Sequence, residues 1–302
     1  MHSKSVGTNL KTKILVLGVS GMLGSAIFRV FSQDTQKFTL SGMARSDRVK
    51  SYLPKELQQN IVWGIDVENI DALTQLLART TPDIVINCIG LVKQLKEAND
   101  PFSSISINAL FPHRLARLCK LVDAKLIHIS TDCVFDGSRG MYSENDNPDA
   151  QDLYGRSKLL GEVDYSNAIT LRTSIIGHEM QSAHGLVGWF LSQSGSVKGY
   201  KRALFSGLPT VELATVIRDY VIPRPELHGV FHVSASPINK FDLLSLIAEI
   251  YQKSIVIEPD ENLVIDRSLD SSRFRNLTGY KPPSWAELIR RQHAFHLNDP
   301  TG

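Results

Sequence analysis

The stretch Lys13-Ile14-Leu15-Val16-Leu17-Gly18-Val19-Ser20-Gly21-Met22-Leu23-Gly24 decides the fold. It opens with a short apolar run rich in branched residues, as a buried strand does. Three glycines follow at intervals of three, and an amphipathic segment runs on to Phe31. Strand, glycine turn and helix in that order form the context a dinucleotide site requires. Gly18 permits the tight turn, Gly21 lets the backbone approach a pyrophosphate, and Gly24 lets helix pack on strand. The start of the helix turns its free N–H groups toward phosphates. Because the spacing is Gly-x-x-Gly-x-x-Gly rather than Gly-x-Gly-x-x-Gly, the pattern alone also fits a plain glycine-rich turn.

Downstream, Lys37 to Met43 reads as a second strand that ends in Ala44-Arg45-Ser46. An acidic residue about here would bind the ribose 2′-hydroxyl of NAD(H). This chain has Arg45 and Ser46, and arginine suits the 2′-phosphate of NADP(H). The alternatives are NAD(H) as cofactor and a solvated loop arginine. Ile61 to Ile65 is a third strand, followed by Asp66-Val67, and Asn69 to Arg79 has helical periodicity. Asp83 to Gly90, which carries Cys88 and Ile89, reads as a fully buried strand. Ser104 to Ala124 reads as one long helix bearing Asn108, and Lys125 to Ser130 as the strand that delivers Thr131.

Strands alternating with helices predict a doubly wound parallel α/β sheet over residues 1–172. Ligands of such sheets sit at the carboxyl ends of the strands, where Gly18, Gly90 and Thr131 all fall. Beyond Arg172 the pattern loosens. Gly177 to Gly207 shows few clear strands, whereas Val211–Val221, Phe241–Tyr251 and Trp285–His293 look helical and Gly229–Val233 looks extended. Residues 173–302 are expected to form a smaller mixed α/β, mainly substrate-binding domain. The segment near 208–235 is a candidate to return to the main sheet.

The chemistry sits in Ser130-Thr131-Asp132-Cys133-Val134-Phe135-Asp136-Gly137 and Tyr154-Gly155-Arg156-Ser157-Lys158. Four residues apart on a helix, Tyr154 and Lys158 share a face. A nearby ammonium stabilises a phenolate, so Lys158 is expected to lower the Tyr154 pKa. A tyrosine tuned in this way exchanges a proton with a carbonyl or carbinol oxygen, which Thr131 can hold. A lone Tyr-x-x-x-Lys is as readily a solvated helix face; its position after the glycine turn and Thr131 gives it weight.

Composition narrows the field. The chain has 302 residues, 42% hydrophobic and 21% charged, with a net charge of +2. No basic run or basic-aromatic patch points to nucleic acid. No apolar run reaches bilayer length, and Met1 to Lys13 is a polar lead-in without a signal-peptide core. Cys88, Cys119 and Cys133 lack metal-ligand spacing, and no carboxylate cluster marks a metal. A reducing cytoplasm is the expected setting.

With these motifs in place, the chain resembles the extended short-chain dehydrogenase/reductases, and within them the dTDP-4-dehydrorhamnose reductase-like nucleotide-sugar reductases. The resemblance rests on the glycine turn, Ser130 to Gly137, Tyr142-x-Glu144-x-Asp146, and Tyr154-Gly155-x-Ser157-Lys158-Leu159-x-Gly161-Glu162. Leu171-Arg172-Thr173-Ser174 and Gly207-x-Pro209-Thr210 extend it. It implies a Rossmann fold and an NADPH-dependent reduction of a nucleotide-activated deoxysugar at its 4-keto group, serving cell-surface polysaccharide synthesis. A homodimer is implied as well.

By resemblance, Thr131, Tyr154 and Lys158 are catalytic, with Lys158 also on the nicotinamide ribose. Gly18, Ser20, Gly21, Met22, Leu23 and Gly24 line the pyrophosphate, and Arg45 and Ser46 take the 2′ end. Asp66 and Val67 flank the adenine, while Cys88, Ile89 and Gly90 pass under the cofactor. Asn108 either supports a water path to the lysine or bonds backbone. Thr131, Asp132, Cys133, Phe135 and Arg172 face substrate, Arg172 having a structural alternative. Lys198, Lys201 and Arg202 are candidate diphosphate ligands, or else a solvated patch.

Departures from the family pattern leave the sugar open. Related 4,6-dehydratases carry Thr-Asp-Glu, the glutamate acting as base; Cys133 replaces it here, which argues against dehydration. Ile175 stands where relatives carry tryptophan, Phe205-Ser206 replaces an acidic-polar pair, and the loop Leu91-Val92-Lys93-Gln94 differs. The competing readings are a dinucleotide-binding regulatory subunit without turnover and a nucleotide-sugar epimerase.

Overall fold

The computed structural model describes residues 11–92, 96–180 and 185–298. Lys93 lies outside them.

The first half alternates strand and helix. In order these are β1 (Thr12–Leu17), α1 (Met22–Ser32), β2 (Phe38–Ala44), α2 (Lys55–Gln58), β3 (Ile61–Trp63) and α3 (Ile70–Thr80). Then come β4 (Ile84–Asn87), α4 (Pro101–Ser104), α5 (Phe111–Leu121), β5 (Lys125–Thr131), α6 (Leu153–Leu160) and β6 (Ala168–Thr173). The second half begins with β7 (Ile175–Ile176), α7 (Leu186–Ser192), β8 (Ser196–Tyr200), β9 (Ala203–Phe205), β10 (Leu208–Pro209) and α8 (Thr210–Val216). It ends with β11 (Gly229–His232), β12 (Ile238–Asn239), α9 (Lys240–Ile250), β13 (Val256–Asp260), β14 (Ile265–Asp266), α10 (Ser272–Thr278) and α11 (Trp285–Leu297).

Seven parallel strands form the main sheet in the order β11-β6-β5-β4-β1-β2-β3. The order reverses between β1 and β4, and a crevice opens at such a switch point. β1 shows why the sheet is covered on both faces. Its side chains alternate, so Ile14 and Val16 join Ile27, Phe28 and Phe31 on one side while Leu15 and Leu17 join Leu73, Leu77 and Leu115 on the other. Each such buried side chain contributes roughly 1.5–3 kcal/mol. The α1 face also packs on Leu213 and Ile217, which ties α8 to the sheet. β11 reaches the sheet edge by pairing with β6, Phe231 opposite Leu171.

The remaining strands build three small sheets, β10-β7, β12-β9-β14 and β13-β8, and a separate apolar cluster gathers Val187, Phe190, Leu243, Leu244 and Ile247. In this half α7, β8, β9, β13, β14 and α10 exceed what the sequence pattern foretold. Gly188 lowers the helix propensity of α7, but Val187 and Phe190, three apart, drop into the cluster and hold it helical.

The expected single helix over Ser104–Ala124 is broken by a π turn at Ile105–Leu110. Pro112 supplies the reason: it has no N–H for the Asn108 carbonyl and its ring crowds that oxygen. The widened turn relieves both problems. Among the described residues no helix is long and apolar enough to cross a membrane.

Candidate active site

Helix α6 is fitted against backbone at both ends by its glycines. A methyl group at Gly155 would overlap the Cys133 carbonyl oxygen, and one at Gly161 would overlap the Asn108 carbonyl oxygen that the π turn presents. Asp152 caps the helix by accepting from the Gly155 N–H at 2.8 Å. Seated in this way, α6 sets Tyr154 beside Thr131, close enough for the Thr131 hydroxyl to act on the phenol. Thr131 ends β5, caps the following turn by accepting from the Cys133 N–H at 3.1 Å, and lies 3.2 Å from Asp132 Oδ1.

Lys158 Nζ donates to the Ile129 carbonyl at 2.8 Å, beneath Gly90. Burial pulls its pKa down to about 8, against the opposing charge of Glu162. The expected lowering of the Tyr154 phenol is not met. Burial pushes it up, helped by Cys133, while the neighbouring Thr131 hydroxyl works the other way. Tyr154 therefore holds its proton at neutral pH. Burial raises the Asp132 carboxyl against the pull of Arg267, and pushes the Cys133 thiol up to about 12, so the cysteine is neutral.

Other expected residues fall into two groups. Gly18 turns tightly at φ +84°, and Gly24 packs directly beneath its carbonyl. Gly21 caps α1 without any side-chain bond, so the first-turn N–H groups face the crevice beside the half-buried Ser20 and Met22. Arg45 is exposed at the end of β2 and makes no hydrogen bond or ion pair among the described residues. Cys88, Ile89 and Gly90 follow β4 on the same side of the sheet, the Cys88 thiol pushed up to about 12 by burial. These features fit a dinucleotide: an uncapped helix start, a close backbone approach and a free guanidinium at its far end.

Several side chains do other work. Leu23 and Val67 are buried in the core, which leaves only their backbone to a ligand. The Ser46 side chain accepts from the Arg48 N–H, and Asp66 from the Glu68 N–H. Asn108 bonds the Leu91 backbone in both directions (2.8 and 3.1 Å) and reaches Ser157 Oγ at 3.3 Å, so it staples the loop after β4 to α6. Phe135 does not face substrate: its ring is fully buried and stacks on Tyr142 at 4.2 Å. Arg172 does not either, being locked to Glu162 by bonds of 2.7 and 2.6 Å.

The proposed anion ligands also change. Lys198 is paired with Asp260 at 3.0 Å and Lys201 lies over the Phe241 ring. The cations whose charges act on Asp132 and Cys133 are instead Arg267 and Lys240. Arg267 follows β14 and is anchored by donating to the Phe135 carbonyl at 2.7 Å. Lys240 opens α9, is half-buried, and makes no hydrogen bond or ion pair among the described residues. Sequence spacing carried no sign of either, because the β9 pairings that bring them in are long-range.

The family described as RmlD substrate binding domain matches residues 12–292. The chain belongs to this family. The RmlD match spans both the crevice and the C-terminal sheets that deliver Arg267 and Lys240. A bovine relative named methionine adenosyltransferase 2 subunit beta is 26% identical over 94% of this chain and 91% of its own. A dTDP-4-dehydrorhamnose reductase of Mycolicibacterium smegmatis is 38% identical over 32% of this chain and 30% of its own. The solved Bacillus anthracis dTDP-4-dehydrorhamnose reductase in complex with NADP has the same fold, with TM-score 0.76, 21% identity, and coverage of 95% of this chain and 100% of that one.

Proposed function

We propose that this chain is an NADPH-dependent reductase acting on the 4-keto group of a nucleotide-activated deoxysugar. The observation that carries the reading is the seating of α6, which sets Tyr154 against Thr131 and Lys158 under Gly90 at the switch point of the sheet. The glycine turn and the α1 start would hold the pyrophosphate, Arg45 the 2′-phosphate, and Lys158 the ribose. When bound, NADPH supplies the hydride. Tyr154 keeps its proton because its phenol is pushed up, so it is loaded to protonate the carbonyl oxygen as that oxygen gains charge. Thr131 holds the same oxygen, and a charged Lys158 favours the tyrosinate left behind. Arg267 and Lys240 meet the substrate diphosphate.

The neutral Cys133 thiol offers no base for removing a proton beside the ketone, which favours reduction over dehydration. Dimerisation is supported by exposed apolar residues on adjoining elements, Phe102 at 77%, Ile105 at 50% and Leu160 at 63%. We place the protein in the cytoplasm, supplying cell-surface polysaccharide synthesis. The test is isotope transfer: deuteride from labelled NADPH should appear at the sugar C4 of the product. An epimerase, which takes hydride from the sugar onto a retained cofactor and gives the same hydride back to the sugar, would leave the product unlabelled.

A second reading has one observation in its favour: the bovine relative, which matches over nearly the full length, is named as a subunit of another enzyme. On that reading the crevice binds dinucleotide without turnover. NADPH consumption with any keto-sugar nucleotide removes it.

A further inference from the structure

Behind the catalytic lysine lies a buried ionic cluster that the reaction scheme does not use. Glu162 follows Lys158 by four residues, just past the end of α6, and both side chains turn back onto neighbouring residues of β5. Lys158 Nζ meets the Ile129 carbonyl at 2.8 Å, and Glu162 Oε1 accepts from Ser130 Oγ at 2.7 Å. Arg172 grips the same carboxylate through Nε at 2.7 Å and a terminal nitrogen at 2.6 Å, with both partners only 6% exposed. Its remaining nitrogen lies 3.3 Å from His232 Nε2. The other ring nitrogen of His232 lies 2.9 Å from the Tyr142 carbonyl, so Nδ1 donates and Nε2 accepts. The imidazole is neutral.

We propose that Glu162 is a positioning residue for Lys158: clamped by Arg172 and Ser130, its carboxylate keeps the buried ammonium charged at working pH. The remaining groups packed around Lys158 cannot do this. Cys88 on β4 is a neutral thiol, and burial holds His128 on β5 uncharged. Tyr154 on the same helix keeps its proton, and His232 on β11 is neutral, its pKa pulled down to about 4. Asn108 on the π turn has no charge. Glu162 is left as the anion acting on Lys158, and it opposes the burial that draws the lysine down to about 8. The double clamp also explains why the carboxylate stays in place: it fixes the anion and prevents a direct ion pair that would pull Lys158 off the cofactor side.

The inference rests on the reading of Lys158 as the ribose ligand, so NADPH affinity is the readout and no sugar is needed. Titrated from about pH 7 to about pH 10, wild-type affinity should fall with a midpoint set by Lys158. Glu162→Gln should move that midpoint down by about one pH unit or more, the effect of losing one close opposite charge. At a pH above both midpoints, a shift of about one unit should lower affinity about tenfold relative to wild type. Since the single variant leaves Arg172 buried and unpaired, Glu162→Gln/Arg172→Met serves as a second test in which no lone ion remains. Its midpoint should lie between the single variant and wild type. A purely structural Glu162 would lower stability without moving the midpoint. A folded variant with the wild-type midpoint, or pH-independent binding by the wild type, overturns the proposal. A wild type that binds no NADPH at any pH instead overturns the reductase reading on which it rests.

Discussion

Gly155→Ala tests the claim that catalysis depends on how closely α6 is seated. The added methyl would fall short of van der Waals separation from the Cys133 carbonyl oxygen by roughly 1 Å, and Ala150 Cβ crowds it at 2.6 Å. Both neighbours are held. The carbonyl belongs to the Thr131-capped turn, and Ala150 donates its N–H to the Val134 carbonyl at 3.0 Å. The helix must therefore move outward, carrying Tyr154 away from Thr131. Overpacking of this kind costs about 1–3 kcal/mol of stability. A displacement of roughly 1 Å at the reacting groups lowers kcat about 100-fold. The assay is steady-state NADPH oxidation beside NADPH binding and a thermal melt. The reasoning predicts a folded variant that still binds NADPH, since the glycine turn is untouched, but turns over slowly. A folded Gly155→Ala protein with near-wild-type kcat would refute it.

Three further outcomes are expected. Arg45→Ala should weaken NADPH at least tenfold while leaving NADH nearly unchanged, on the order of the 1.5–3 kcal/mol of a charge-assisted bond; equal loss for both would show that Arg45 does not read the 2′-phosphate. Arg267→Ala and Lys240→Ala should each raise KM for the nucleotide sugar with little change in NADPH affinity, whereas changed cofactor affinity alone would place them elsewhere. Stability should fall on acidification, because the unfolded chain protonates its histidines near 6.5 while folded His232 resists until about 4. With ν_U exceeding ν_N across that window, His232 contributes stability above 6.5 and loses it toward about 4, at about 1.4 kcal/mol per pH unit. Urea unfolding at several pH values should show this slope reduced in His232→Gln.

The main sheet could be read from the sequence because its strands are short, fully apolar runs set between periodic helices, and β1 with its glycine turn needs no distant residue to be recognised. Thr131 was legible because it closes the apolar strand β5, and Tyr154 and Lys158 because their four-residue spacing puts them on one helix face after it. The side chains around them were not. Phe135 neighbours Thr131 in sequence, yet the extended backbone after the Asp132–Val134 turn sends its ring into a buried stack with Tyr142. Arg172 ends a strand at the right edge, but Glu162 claims it; an acid placed four residues after Lys158 was the available signal. The π turn at Asn108 follows from Pro112 only once Gly161 is known to receive the displaced carbonyl. Arg267 and Lys240 depend on strands of two residues each, too short for any periodicity to reveal.

The most direct test of the central claim is NADPH oxidation by the wild type and by Tyr154→Phe across a panel of nucleotide-linked 4-keto-6-deoxysugars. Stoichiometric oxidation by the wild type with at least one sugar, absent in Tyr154→Phe although that variant binds NADPH, is the predicted result. NADPH binding without oxidation across the panel, or equal turnover by Tyr154→Phe, would contradict the account.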